Sequence, residues 1–87
     1  MEKTIIKFWG PGCPNCTAIT PHLNAVKAQY PDITFKEINT ADDPKTADKY
    51  EVTTLPTLIF EKGGDVVARM MGLKPKVLII KKIDEVF

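Results

Sequence analysis

Apolar side chains fall along this chain in short clusters whose spacing switches between that of strands and that of helices. Thr4-Ile5-Ile6-Lys7-Phe8-Trp9 is rich in β-branched and aromatic residues and predicts a strand covered on both faces. Gly10-Pro11-Gly12 interrupts it. Pro14 then suits the first position of a helix, where a missing N–H costs nothing. From there to about Tyr30, the residues Ile19, Leu23, Val26 and Tyr30 recur at intervals of four, three and four, the stripe of one helical face. Pro21 lies inside that stripe and predicts a kink, because it removes a backbone bond and crowds the preceding turn. Pro31-Asp32 ends the helix.

The second half has shorter periods. Ile33 to Asn39 alternates at first and predicts a second strand. Asp43-Pro44 has the form of a helix cap followed by a first-turn proline, opening a short helix through Lys49-Tyr50. Thr57 to Glu61 predicts a third strand. Lys62-Gly63-Gly64-Asp65 predicts a hairpin turn, since paired glycines supply the positive φ that tight turns need. Val66 to Met71 follows as a fourth strand, antiparallel to the third, and Gly72 stops it. Pro75 opens a last helix with Ile79, Ile80, Ile83, Val86 and Phe87 on one face. The order is β-α-β-α-β-β-α. Its strand-helix-strand start predicts two parallel strands joined by a right-handed crossover, with the hairpin extending the sheet and helices on both faces.

Composition narrows the functions available. The 87 residues suffice for one modest core and predict a single domain, 1–87. Twelve basic against eleven acidic side chains leave a net charge of +1, which favours neither nucleic acid nor an anionic membrane. Lys81-Lys82 is offset by Asp84 and Glu85 and is expected to be solvated. No apolar stretch approaches the roughly 20 residues of a membrane span, and the start at Met1-Glu2-Lys3 lacks a leader pattern. A cytoplasmic, reducing compartment is therefore expected. There, two cysteines with two residues between them point to redox chemistry or metal binding rather than to a structural disulfide.

Cys13 and Cys16 stand at the predicted start of the first helix. Unpaired N–H groups and the helix dipole favour thiolate over thiol there, which should bring Cys13 below the roughly 8.5 of a free cysteine. The thiolate is the attacking species in disulfide exchange, so Cys13 is the candidate nucleophile. Cys16, nearly one turn further on, lies on the same side of the helix and could displace a mixed disulfide formed at Cys13. Metal binding is the competing reading. The pair supplies only two of the four ligands of a structural zinc, and His22, the one histidine, would need further ligands from outside. No metal is expected.

Phe8-Trp9, Cys13-Pro14-Asn15-Cys16, Pro21 five residues after the second cysteine, and Leu55-Pro56-Thr57 together resemble the thioredoxin superfamily. Tyr50-Glu51-Val52, Gly63-Gly64 and Gly72 also fall where thioredoxins carry comparable residues. The similarity runs from the first strand onward, without the first strand and helix of full-length thioredoxins. It implies an α/β minimal thioredoxin fold, a four-stranded mixed sheet flanked by three helices. It also implies a thiol-disulfide oxidoreductase with no cofactor beyond its Cys13–Cys16 couple. A cis peptide between Leu55 and Pro56 is implied beside the cysteines, presenting the Leu55 backbone to a substrate peptide as an added strand. Gly12, Pro14, Leu55, Thr57, Gly72 and Leu73 would form the docking rim, and Trp9 would pack beneath the cysteines.

Departures from the family pattern bear on chemistry. Pro14-Asn15 replaces the Gly-Pro typical of thioredoxins and the Pro-Tyr typical of glutaredoxins, and Gly12 stands where thioredoxins usually have a second tryptophan. Thioredoxins also carry a buried aspartate two residues before the first tryptophan, facing a lysine on the next strand. Here those positions hold Lys7 and Glu37, a charge pair with its signs exchanged, in which Glu37 could relay the Cys16 proton. The resemblance implies a monomer that takes electrons from a thioredoxin-reductase-like enzyme or glutathione and passes them to disulfide-bearing proteins. The alternatives are a glutathione-dependent, glutaredoxin-type reductase and a non-catalytic binding or metal-carrying module. Gly63-Gly64-Asp65 is similar to a glutathione-binding motif but comes one strand too early. Lys45 and Lys49 are available to glutathione carboxylates.

Overall fold

The computed structural model describes residues 1–87 and has seven elements. They are β1 (Lys3–Trp9), α1 (Pro14–Gln29), β2 (Ile33–Asn39), α2 (Pro44–Lys49), β3 (Thr57–Lys62), β4 (Asp65–Met71) and α3 (Lys76–Val86). The sheet order is β2-β1-β3-β4. β1 pairs parallel with β2 and antiparallel with β3, and β3 pairs antiparallel with β4. The expected β-α-β-α-β-β-α order and mixed sheet are present.

β1 lies inside the sheet, and its residues from Thr4 to Phe8 are buried without alternation. Both faces are covered, which explains the unbroken apolar run. On one face Ile5, Leu58 and Phe60 pack against Ile19, Leu23 and Val26 of α1 and Ile79 and Ile83 of α3. On the other, Ile6, Phe8 and Ile59 pack against Ala47 of α2, with Tyr50 beside them. The Phe8 and Tyr50 rings meet at 5.5 Å between centroids. No helix is long and apolar enough to cross a membrane.

Three local features differ from the sequence reading or add to it. The strands of the hairpin run one residue further into the turn on each side. Gly63 and Gly64 alone connect β3 and β4, with φ of 60° and 88°, the left-handed pair that a two-residue hairpin demands. α1 runs through Pro21 to Gln29, close to the expected end at Tyr30, and the proline leaves the Thr17 carbonyl without its usual partner four residues on. Finally, Arg69 reaches from β4 to donate to the carbonyls of Tyr50 and Glu51, satisfying backbone groups just beyond the C-terminal end of α2.

Tyr50 is tied to the sheet by its hydroxyl, which donates to Glu61 Oε2 at 2.7 Å. That bond, followed by burial and by the carboxylate's charge, raises the phenol above its usual value of 10.0. The folded chain therefore holds the Tyr50 proton more tightly than the unfolded chain. This contribution to stability is whole below the unfolded value and is lost as pH rises through the folded one. In urea titrations, Tyr50→Phe should be less stable than the parent at neutral pH, and the gap should narrow as pH rises well above about 10. Phe60→Ala, at a fully buried position between the sheet and Phe87, should cost about 3–5 kcal/mol in the same assay.

Candidate active site

The loop leaving β1 turns directly into α1, and Cys13 is the residue that caps the helix. Its backbone is extended, at φ −109° and ψ 96°, and its Sγ accepts the Cys16 N–H at 3.2 Å. Its carbonyl accepts from the N–H groups of Cys16 and Thr17 at 3.1 and 3.4 Å. Pro14 takes the first helical position. The two cysteines form a disulfide, with Cα atoms 5.3 Å apart. Cys13 is half-exposed and Cys16 is buried, so the first cysteine of the pair is the more accessible to an incoming partner.

A cleft of about 410 Å³ opens at the disulfide, lined by both cysteines, Trp9, Gly12, Lys7, Thr20 and Glu37 among others. Trp9 is half-buried in its wall. Lys7 is buried and lines the same cleft. Its Nζ donates to Thr20 Oγ1 at 3.2 Å, and the Thr20 hydroxyl donates to the Cys16 carbonyl at 3.3 Å. Lys7 and Glu37 are cross-strand partners in the β1–β2 register, with Nζ and Oε1 3.8 Å apart. Their environments are unequal: the Lys7 side chain is 8% exposed and that of Glu37 60%. The pair thus runs from interior to surface instead of being buried as a unit, because β2 is an edge strand that α1 covers only in part.

The cis-proline loop adjoins this site from the opposite side. The Leu55–Pro56 peptide is cis, the Pro56 carbonyl accepts the Gly72 N–H at 2.8 Å, and the Thr57 hydroxyl donates to the Thr54 carbonyl at 2.5 Å. Neither backbone group of Leu55 is engaged by another backbone group. Leu55 is half-buried against Gly10, where an added Cβ would come within 3.0 Å of Leu55 Cδ1. Gly12, Pro14 and Leu73 are exposed, and neither Pro14 nor Leu73 lines the cleft.

Two residues escaped the sequence reading. Thr20 follows Cys16 by four residues, a spacing that places it on the same helical face, and Gly10 read only as part of a turn. Other candidates have structural duties. His22 Nδ1 accepts the Lys76 N–H at 3.2 Å, supplying α3 with the cap that Pro75 lacks. The Gly63 N–H donates to the Glu2 carbonyl ahead of β1, whereas the cysteines follow the far end of that strand. Seven residues of strand, roughly 20 Å, separate Gly63-Gly64 from the site.

A helix-capping cysteine with a second cysteine one turn on, set at the end of an interior strand beside a cis-proline loop, defines a dithiol-disulfide exchange protein. A family model for thioredoxin matches residues 1–85. The chain is 37% identical over 81 residues to a thioredoxin of Chlamydia pneumoniae, covering 93% of this chain and 79% of that one. It superposes with a TM-score of 0.88 on oxidised mitochondrial thioredoxin 3 of Saccharomyces cerevisiae at 30% identity, covering 95% and 78% of the two chains. A malarial protein at 20% identity has a TM-score of 0.92 over 100% of this chain and 99% of its own, a likeness of fold. The chain belongs to the thioredoxin family. Its activity is that of a thioredoxin-type thiol-disulfide oxidoreductase, the reduction of protein disulfides through a Cys-x-x-Cys couple.

The close approach of Gly10 to Leu55 generates an expectation. Gly10→Ala should displace Leu55 and lower the rate of insulin-disulfide reduction several-fold, while reduction of a small aromatic disulfide, which needs no strand docking, changes less. Equal losses on both substrates would show that Gly10 acts on the cysteines instead.

Proposed function

We propose that Cys13 is the attacking thiolate and Cys16 the resolving thiol. The observation that carries this is the capping geometry: Cys13 Sγ sits at the helix start accepting a backbone N–H, the environment that favours a thiolate, and it is the more exposed sulfur. In the reduced protein, the Cys13 thiolate attacks one sulfur of a substrate disulfide. A mixed disulfide forms and the other substrate sulfur leaves as a thiolate, which takes up a proton. Cys16 then loses its proton and attacks Cys13 Sγ, and the second substrate thiolate departs. Two electrons pass to the substrate and the protein is left as the disulfide seen in the structure. No cofactor enters these steps.

In this reading Leu55, held by Pro56 and Thr57, offers its free backbone N–H and carbonyl to the substrate chain, with Gly12, Pro14, Gly72 and Leu73 as the surrounding rim and Trp9 as one wall. The electron donor is a thioredoxin reductase, and the substrates are disulfide-bearing proteins met by a monomer of one domain in the reducing cytoplasm. The glutathione alternative loses its strongest motif, since Gly63-Gly64 is engaged at the opposite end of β1.

Cys13→Ser should abolish dithiothreitol-driven insulin reduction, and Cys16→Ser should accumulate a mixed disulfide resolvable by mass spectrometry. A Cys13→Ser variant as active as the parent would overturn the assignment. With the parent protein, coupling to thioredoxin reductase should sustain turnover that glutathione with its own reductase does not.

A further inference from the structure

Lys7 is the one Asp, Glu, Lys, Arg or His side chain buried in the core, and the exchange steps above do not use it. An ammonium offers three donors. Here Thr20 accepts one, and Glu37 lies beyond hydrogen-bond distance at 3.8 Å. A charge withdrawn from water needs compensation, and an exposed carboxylate, screened by solvent, supplies it only weakly. Leu58 is the partner of Lys7 on β3, and the crevice Lys7 shares on the α1 side is lined by the uncharged Ile5, Leu23, Asn24 and Phe35 and by Lys27 and Lys36, which add positive charge. What Lys7 does share is the cleft with Cys13 and Cys16, and Thr20 links its ammonium to the carbonyl of Cys16.

We propose that the Lys7 ammonium stabilises the thiolate of Cys16 and so biases the cysteine couple toward its reduced form wherever that thiolate is populated. This rests on Cys16 being the resolving thiol. The disulfide carries no charge for Lys7 to attract, whereas a Cys16 thiolate does, so the interaction exists only on the reduced side of the equilibrium. When a donor thiolate attacks Cys13 Sγ, the S–S bond breaks and Cys16 leaves with the electron pair as a thiolate beside the cation. A better-stabilised thiolate leaves more readily. In the opposite direction, Cys16 must shed its proton to solvent in the cleft before attacking Cys13, and the cation lowers that cost. Lys7 touches neither sulfur through a hydrogen bond and acts as a positioning and electrostatic residue. Glu37 opposes it, because the carboxylate draws part of the Lys7 field away from Cys16.

The test is a titration of Cys16 as the sole thiol, in Cys13→Ser, by its ultraviolet thiolate absorbance. Lys7→Met and Lys7→Gln should each raise the midpoint by about one pH unit, the low end of what a nearby opposite charge produces. Lys7→Arg should leave it near the parent, and Glu37→Gln should lower it. With both cysteines present, equilibration against glutathione above the thiol midpoints should favour the disulfide about tenfold more in Lys7→Gln than in the parent, about 30 mV for two electrons. Below those midpoints the difference should fade, as thiolate is no longer populated. Unchanged midpoints in both Lys7→Met and Lys7→Gln would overturn the proposal. So would an Lys7→Arg midpoint as high as that of Lys7→Gln, since loss of packing would then explain both. If Glu37→Gln slows resolution and leaves the midpoint unmoved, Glu37 is a proton relay and the cation is not the controlling charge. Failure of the cysteine assignment would show separately, as insulin reduction persisting in Cys13→Ser.

Discussion

Burial of β1 on both faces is the constraint from which the rest of the structure follows. The strand is hydrogen-bonded to β2 on one side and β3 on the other, and helices from both layers close over Ile5, Ile6 and Phe8. A strand held this way cannot shift by one residue without exchanging every side chain between its faces. Its C-terminal end is therefore a fixed point. The loop Gly10-Pro11-Gly12 turns the chain there, and α1 lays its apolar stripe of Ile19, Leu23 and Val26 back over the same sheet. Cys13 stands at the helix cap because the turn and the stripe leave it nowhere else.

The same constraint explains the one charge in the core. Position 7 lies on the face of β1 that carries Ile5, directed at α1, and a side chain there is buried except where it lines the cleft. Lysine can occupy it because its stem packs as hydrocarbon while its ammonium ends at Thr20, close to the cleft. Glu37 is held opposite by the parallel register, yet it sits on an edge strand and remains in solvent. The charge pair is thereby asymmetric, and the asymmetry leaves a buried cation on the wall of the cleft at the disulfide.

The hairpin completes the site from the other half of the chain. β3 begins immediately after Pro56 and β4 ends at Met71, so the antiparallel register brings Gly72 beside Pro56, where their backbones bond. Leu55 is then braced against Gly10 with its own backbone groups unused. Active-site loop, cis-proline loop and β4 terminus thus meet at one end of the sheet. The opposite end holds the Gly63-Gly64 turn and the start of β1.

Period, turn residues and the cysteine spacing already determined the element order, the hairpin, the helix-capping cysteine and the reaction type, because each of these depends on neighbours within a few residues. The resemblance carried by Cys13, Cys16 and Leu55-Pro56-Thr57 extended that reading to the cis-proline loop. Tertiary structure decided what depends on who stands opposite. Alternation indicated that Lys7 and Glu37 face the same layer, and the register made them partners. That one is interior and the other solvated follows from which strand has a neighbour on its far side, a property of sheet order. Thr20 and Gly10 gained their roles in the same way. A threonine on a helix and a glycine in a turn are unremarkable until packing sets one between a buried ammonium and a cysteine carbonyl, and the other against Leu55. Local sequence specifies conformation, but the burial of a charge in the wall of the disulfide's cleft is set by contacts that only the assembled layers create.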